Sequence, residues 1–316
     1  MTKLFKITLY FICINLFLSS FAVCNSYITY TTDAPSVVIN IKGESLTFLI
    51  DTGFSDSIIP FRTIKKLEID KTKEFFEFTS ISFDNEQYNE KKVELETILE
   101  ELGLDNYKQY ISPNKKMALT FHDVCVGSEQ VEELLLVYDE KYNNERVESV
   151  LEYDGILGMN NLLKFKKLTI DYKKKRIIFN SKKLLKTLPI NICHEIPNRY
   201  GIQSFDKRCF VRAKIKGDEY NCLLDTGNTS GFLMIPAMMK SIFTNDDYNG
   251  SPFYIDLELG NKTYRKIKAV YSDNDDLISL FDYDKFSDCD VLYLCSSIFK
   301  NHIIQFDFEN NTFGIE

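Results

Sequence analysis

The sequence predicts a mainly β protein built from two matching halves, and three observations support this. Short runs of β-branched and aromatic residues recur, and aromatic residues reach 14% of the composition, which favours strands. The stretch Phe48-Leu49-Ile50-Asp51-Thr52-Gly53 returns as Cys222-Leu223-Leu224-Asp225-Thr226-Gly227. Each copy follows a predicted hairpin that turns at a glycine, Gly43 or Gly217, eight residues before the aspartate. A repeat of this extent indicates an internal duplication.

Length and composition agree with two globular units. At 316 residues the chain is long enough for two domains with separate cores. Apolar residues make up 44% and charged residues 27%, which is ordinary for a soluble globular protein.

Residues 1–24 are predicted to be a signal peptide. Lys3 and Lys6 precede an apolar run from Ile7 to Leu18, and small residues follow that run, which is the order of a secretory signal. The mature protein would then be exported to the periplasm, the cell surface or the medium. An uncleaved membrane anchor is one alternative, since the apolar run is nearly long enough to span a bilayer. Lipid modification at Cys24 is another.

Charge and cysteine usage narrow the function classes. Removing residues 1–24 would remove two lysines and no acidic residue, which moves the net charge from −8 to −10. An acidic protein of this kind is a poor candidate for binding nucleic acid.

Six cysteines remain after this removal, which fits an oxidising compartment. Cys193 and Cys209 are a candidate pair, although connectivity cannot be read from sequence. Without a CxxC motif or clustered histidines, no metal site and no cofactor are expected.

The N-terminal unit is assigned to residues 25–180. Its middle is longer than that of the second unit, and the additional residues include a plausible hairpin and a surface helix. The predicted elements are strands at 37–42 and 46–50, an apolar stretch at 58–60, a hairpin from 75 with a polar turn at 84–86, a surface helix at 92–104, a strand at 117–126, the Ile156-Leu157-Gly158 element, and a closing hairpin at 168–179.

Residues 181–206, with two prolines and one glycine, are predicted to be a linker, and residues 207–316 the C-terminal unit. The second unit repeats the plan of the first. Cys295 takes the position that Gly158 has in the first unit. The predicted strands are 210–216, 220–224, 232–236, 253–259, 291–295, 303–308 and 312–315.

Asp51 and Asp225 are the candidate reactive groups. Two carboxyls within hydrogen-bonding reach cannot both ionise easily, so they share one proton over a wide pH range. The charged partner can take a proton from a water, and the neutral partner can donate a hydrogen bond to a carbonyl oxygen. This pairing hydrolyses an amide without a covalent intermediate and without a metal. In the alternative, the two carboxylates only cap turns in a duplicated β protein that binds and does not react.

These motifs resemble those of aspartic proteases of the pepsin and retropepsin type, and most closely bacterial exported retropepsin-like proteins with two fused halves. The resemblance covers most of residues 37–180 and 208–316. It rests on both triplets, on Ile156-Leu157-Gly158 and on the terminal strand with Phe313-Gly314-Ile315. It implies a bilobal acid-protease (pepsin-like) fold of two duplicated lobes, and an aspartic endopeptidase with a peptide or protein substrate in the interlobe cleft.

The resemblance also implies a role for each residue of the triplets. Asp51 and Asp225 would be catalytic, and Thr52 and Thr226 would bond across the lobe interface to support them. A flap would close over the substrate, and Tyr88 is the candidate aromatic residue of this flap. The remaining triplet residues, which shape the two turns, are Gly53 and Gly227.

The chain departs from the family pattern beside each triplet. Phe54 and Asn228 stand where the family has Ser, Thr or Ala. A hydroxyl there would stabilise the charged pair, so its absence is expected to raise the pH of best activity. Ser55 and Thr229, one position further on, are candidates to compensate. Cys295 is bulkier than the glycine of the first half and is predicted to be a buried thiol or half of a disulfide.

Two alternatives remain at the level of the whole chain. The protein could be a non-catalytic exported peptide- or protein-binding protein that keeps the acid-protease fold. It could also work as a homodimer in which the halves of each chain act separately. The single candidate flap favours a monomer, with the membrane involved only if the N-terminal segment is retained or lipidated.

Overall fold

The computed structural model describes residues 34–69, 76–79, 115–138, 153–185, 189–197, 203–228, 230–236, 239, 251–272 and 291–316. The protein is mainly β, as the sequence predicts. Two short helices, α1 (Phe61–Lys66) and α2 (Met159–Leu162), and a 3-10 turn at Ser296–Phe299 accompany the strands. In chain order the strands are β1 (Ser36–Ile41), β2 (Glu44–Ile50), β3 (Phe76–Thr79), β4 (Lys115–Val126), β5 (Glu129–Tyr138), β6 (Gly155–Leu157), β7 (Lys167–Asp171), β8 (Arg176–Phe179), β9 (Ile190–Asn191), β10 (Cys193–Pro197), β11 (Gln203–Ile215), β12 (Asp218–Asp225), β13 (Leu233–Pro236), β14 (Phe253–Leu259), β15 (Lys262–Ser272), β16 (Val291–Cys295), β17 (Ile303–Asp307) and β18 (Thr312–Ile315).

The first sheet forms around the hairpin of β1 and β2. Its strand order is β3-β4-β1-β2-β6, and β5 pairs with β4. Side chains on β1 alternate between buried and exposed from Val37 to Ile41, as they should when one face of a strand covers a core. Lys42 and Gly43, with φ of 51° and 85°, form the two-residue loop between the strands. Positive φ at both positions matches the twist of the hairpin, as in a type I′ turn.

The second sheet repeats this construction around β11 and β12. Its order is β10-β11-β12-β16-β13-β15-β14, and an additional pairing joins β14, the last strand of that path, to β11, the second. The hairpin loop is again two residues, Lys216 and Gly217, with φ of 54° and 95°. The predicted duplication of the hairpin is therefore confirmed down to the turn geometry.

A third sheet joins the two halves. Its order is β8-β7-β17-β18-β9, so the closing hairpin of each half contributes two strands. β7 and β17 pair antiparallel, with Thr169 opposite Gln305. The Gln305 Nε2 atom donates to Thr169 Oγ1 at 2.8 Å. Both halves are thus held in one hydrogen-bonded unit.

Parts of the segment predicted as a linker form strands. The segment 181–206 includes β9 on the edge of the third sheet and β10 on the edge of the second, and β11 begins at Gln203, before residue 207. These strands lack the apolar alternation that identifies strands in a sequence, because they add to sheet edges through main-chain pairing.

The candidate pair Cys193 and Cys209 is not a disulfide, because both cysteines are free thiols. Cys193 is paired in register with Phe210, the neighbour of Cys209. Opposed residues of an antiparallel pair share one face of the sheet, so the side chains of Cys193 and Cys209 point to opposite faces.

Of the predicted segments, the signal peptide 1–24, the surface helix 92–104 and the polar turn 84–86 fall beyond the described residues. Of the predicted hairpin from residue 75, the strand β3 is described. No helix among the described residues is long and apolar enough to cross a membrane.

Candidate active site

Each triplet begins where a central strand ends. In the first half, β2 pairs in parallel with β6, and the N–H of Asp51 donates to the Leu157 carbonyl at 3.1 Å. In the second half, β12 pairs in parallel with β16, with Asp225 opposite Cys295. Apolar side chains cover both faces of these strands and bury them. Each aspartate is therefore held in position at the end of a buried strand.

The two threonines bond the triplets to each other across the halves. The N–H of Thr52 donates to Thr226 Oγ1 at 3.1 Å, and the N–H of Thr226 donates to Thr52 Oγ1 at 3.3 Å. The Thr226 hydroxyl donates to the Ile50 carbonyl at 2.8 Å, and the Thr52 hydroxyl donates to the Leu224 carbonyl. Both threonines are at most 1% exposed. Reciprocal buried bonds of this kind fix the two turns in one mutual orientation.

The two glycines lie against the aspartates of the opposite halves. A Cβ atom added to Gly53 would lie 2.7 Å from Cγ and Oδ1 of Asp225, closer than real Cβ atoms approach other atoms. A Cβ atom on Gly227 would lie closer still to the carboxyl of Asp51. Only glycine, which has no side chain, leaves room at these two positions for the carboxyl of the opposite half. The structure therefore brings together all six predicted triplet residues.

Burial and proximity shape the titration of Asp51. Asp51 is 6% exposed and Asp225 is 2% exposed. Burial raises the pKa of Asp51 well above its ordinary 3.8, and the negative charge of Asp225 and a hydrogen bond between the two carboxyls raise it further. The main-chain N–H groups of Gly53 and Gly227 oppose this rise by stabilising the charged form. The first of these donates to Asp51 Oδ1 at 2.8 Å.

The residues after the triplets direct their side chains elsewhere. Phe54 is buried in an apolar cluster with Leu49 and Ile156. The Asn228 N–H donates to Asp225 Oδ1 at 3.1 Å, so a main-chain group binds this carboxyl. The Asn228 side chain donates to Met234 Sδ at 3.1 Å.

Ser55 and Thr229 are the other two residues predicted to support the dyad. Ser55 is half-buried and accepts the Asn160 N–H at its carbonyl, at 2.9 Å. Thr229 and the flap candidate Tyr88 lie outside the described residues.

The strands behind the dyad confirm that Cys295 is the counterpart of Gly158. A Cβ atom on Gly158 would lie 2.7 Å from the main-chain carbon of Asp56, so no larger residue fits there. Cys295 is a buried free thiol whose Sγ atom lies 2.9 Å from Ser297 Oγ. Burial raises the pKa of this thiol, and the charge of Asp225 adds to the rise. Cys295 is therefore held in its neutral form, as a packing residue and not a nucleophile.

Two groups of residues near the site were missed by sequence reasoning. Arg208 is buried and donates to the Gly53 carbonyl. Ser57 and Asn161 form a buried polar network under the first triplet, in which Asn161 Nδ2 donates to Ser57 Oγ at 2.8 Å. Extending the repeat backwards would have drawn attention to Arg208, since it lies 17 residues before Asp225, as Ala34 does before Asp51.

The arrangement can place a proton donor and a proton acceptor side by side in a buried site. Within the described part of the chain, no group of three or more His, Cys, Asp or Glu residues could hold a metal ion.

Comparison with known proteins adds no family. The chain matches none of the protein-family models, and none of the curated proteins matches it.

Proposed function

We propose that the chain is an aspartic endopeptidase with a bilobal acid-protease fold, in which Asp51 and Asp225 form a single-chain catalytic dyad. One observation carries the proposal: the two carboxyls lie in one buried site, each packed against the glycine of the opposite triplet. The bonds between Thr52 and Thr226 add support, because they hold both turns of one chain together.

The dyad would work with one proton shared between its carboxyls. The charged carboxyl takes a proton from a water, whose oxygen attacks the carbonyl carbon of the scissile peptide. The neutral carboxyl donates its proton to the carbonyl oxygen, giving a tetrahedral diol. The C–N bond then breaks as one carboxyl gives its proton to the nitrogen and a hydroxyl of the diol gives its proton to the other carboxyl. A carboxylic acid and an amine leave, and the dyad again holds one proton.

The substrate would be a peptide or protein lying extended between the two halves. An extended chain can pair its main chain with neighbouring strands while alternate side chains occupy pockets. Export, through the N-terminal segment, would place the enzyme where such substrates are extracellular or periplasmic. The enzyme would act as a monomer and require no cofactor.

The first test is hydrolysis of a mixed peptide library between pH 3 and pH 8. Wild type should cleave, and Asp51→Asn and Asp225→Asn should each lose roughly 10²- to 10⁴-fold in rate, the usual contribution of a positioned acid or base. Asp218→Asn is the matched control, because Asp218 is exposed at the opposite end of the strand that carries Asp225. This control should cleave like wild type.

The outcomes separate the alternatives. Absence of cleavage by wild type, with retained peptide binding, would favour a binding protein, and the lack of a hydroxyl at Phe54 and Asn228 is the observation on that side. An Asp51→Asn variant as active as wild type would exclude the dyad. Activity per molecule that stays constant on dilution is expected for a single-chain dyad, whereas a homodimeric enzyme would lose it.

A further inference from the structure

Arg208 is a buried cation that contacts the dyad turns. It is 1% exposed, and among the described residues it is the largest side chain below 2% exposure and the one Lys or Arg that is buried. Its Nη1 atom donates to the Gly53 carbonyl at 3.3 Å. Arg208 belongs to β11 of the second half and Gly53 to the first triplet, so this bond crosses between the halves.

The bond completes the restraint of Gly53. The N–H of Gly53 donates to Asp51 Oδ1 at 2.8 Å, and its α-carbon lies against the Asp225 carboxyl. The carbonyl is the remaining polar group of this residue, and Arg208 binds it. Glycine has the widest choice of backbone conformations and no side chain to anchor it, so fixing its carbonyl removes freedom that packing cannot remove.

Arg208 lies at the end of the β11–β12 ladder that is near the second triplet. The pairing of β11 with β12 sets Phe210 opposite Leu223, two residues before Asp225. Arg208 precedes Phe210 by two residues, in the part of β11 where the pairing with β10 is irregular.

An arginine stands at this position in one half and not in the other. The position of Arg208 in the first half is occupied by Ala34, which is 1% exposed and packs in the apolar cluster with Phe54. A methyl group cannot donate a hydrogen bond, so Ala34 offers no equivalent restraint to the second triplet. The first triplet therefore depends on a residue of the opposite half.

We propose that Arg208 is a positioning residue that fixes the first catalytic turn against the second half through the Gly53 carbonyl. This inference rests on the proposed dyad for its effect on rate, but its structural part can be measured without any substrate. Burying a guanidinium is costly unless its donors are bonded. The planar fork of arginine also sets the direction of its donors in a way that the single ammonium of lysine does not.

The experiment compares Arg208→Met, Arg208→Lys and wild type by two readouts. In Arg208→Met, kcat should fall roughly 10- to 100-fold with KM within about twofold, since a small misplacement of catalytic groups has effects of this size. Amide hydrogen exchange, followed by NMR, should accelerate at least about tenfold at Thr52 and Thr226 and stay unchanged in β14. Arg208→Lys should recover part of both losses.

Arg62→Met is the matched control. Arg62 also donates to a main-chain carbonyl, that of Tyr153, in the first half. This variant should leave exchange at both threonines and kcat as in wild type. Equal effects of Arg62→Met and Arg208→Met would overturn the proposal, as would uniform acceleration of exchange across all strands.

The remaining outcomes are also decisive. If Arg208→Met does not fold, Arg208→Lys decides: faster exchange confined to the two triplets supports the proposal, and wild-type exchange overturns it. If wild type cleaves no peptide, the proposed function fails, while the exchange readout still tests the positioning role.

Discussion

At the scale of single residues, the site depends on two glycines as much as on two aspartates. Gly53 and Gly227 are required by steric contact with a carboxyl of the other half, which is a constraint of the assembled dyad and not of the local turn. By contrast, Gly43 is required by its left-handed φ of 85° and has open space around its α-carbon. The two kinds of glycine can therefore be separated by mutation.

Gly227→Ala should disrupt the dyad directly. The new methyl would overlap the Asp51 carboxyl, so we expect loss of about 2 kcal/mol in the free energy of unfolding and loss of nearly all peptide cleavage. Urea unfolding and the library assay measure these effects. The control Gly43→Ala should lose about 1 kcal/mol through its positive φ and still cleave. Full activity in Gly227→Ala would contradict the close packing of Gly227 against the Asp51 carboxyl.

The raised pKa of Asp51 makes stability depend on pH. The unfolded chain releases this proton near 3.8, whereas the folded protein keeps it to a higher pH. The folded state thus binds more protons in that window, so the stabilisation is complete below 3.8 and is lost as the pH rises through the raised pKa. Urea unfolding between pH 3 and pH 7 should show a decline in wild type that Asp51→Asn lacks.

Asp225→Asn is the informative control for that decline. It keeps Asp51 buried but removes the neighbouring charge, which is the second cause of the raised pKa. A decline weaker than that of wild type is expected. Parallel pH profiles for wild type and Asp51→Asn would show that Asp51 titrates normally in the folded protein.

At the scale of elements, α2 supports the first triplet through one buried asparagine. Asn161 is 1% exposed, and its Nδ2 atom donates to Ser57 Oγ and to the Leu135 carbonyl, at 2.8 and 2.6 Å. Its Oδ1 atom accepts the Leu135 N–H at 3.1 Å. A helix of four residues has little stability of its own. The Asn161 side chain holds it in place by connecting α2 to β5 and to the segment after the triplet.

Asn161→Ala should destabilise the protein by roughly 2–4 kcal/mol, because it removes the three hydrogen bonds of a buried amide, including the one that accepts the Leu135 N–H. Urea unfolding measures the loss. The exposed Asn40 on β1, which accepts a hydrogen bond from Ser45, gives the control Asn40→Ala, expected to cost about 0.5 kcal/mol or less. Equal losses in the two variants would show that the network contributes nothing specific.

The elements differ in how well sequence predicts them. The hairpins before each triplet were predicted because turn residues and apolar alternation are local signals. The edge strands β9 and β10 were not, because main-chain pairing to a sheet edge leaves little trace in side-chain pattern. The contact of Arg208 with Gly53 was missed for a similar reason: it joins residues 155 positions apart, and only the assembled halves bring them together.

At the scale of the whole molecule, the third sheet makes the two halves one body. Lys167 and Asp307 form an ion pair across it at 3.3 Å, with both side chains mostly buried. The carboxyl separation at the dyad is therefore set by strand pairing elsewhere in the chain as well as by the threonine bonds. Sequence indicated two halves and a shared dyad, but the register of β7 against β17 could not be read from either half alone.

Carrying both triplets on one chain also changes how the molecule can evolve. In a symmetric dimer every substitution is installed twice, so a change that suits one side of the two-fold axis must be tolerated on the other. Here Arg208 of the second half corresponds to Ala34 of the first, and Cys295 of the second half corresponds to Gly158 of the first. A second arginine or a second cysteine would have no room, given the apolar packing of Ala34 and the main-chain contact of Gly158. Covalent linkage thus allows each half to specialise. The second half carries the arginine that restrains a turn, and the first half carries the turn that is restrained.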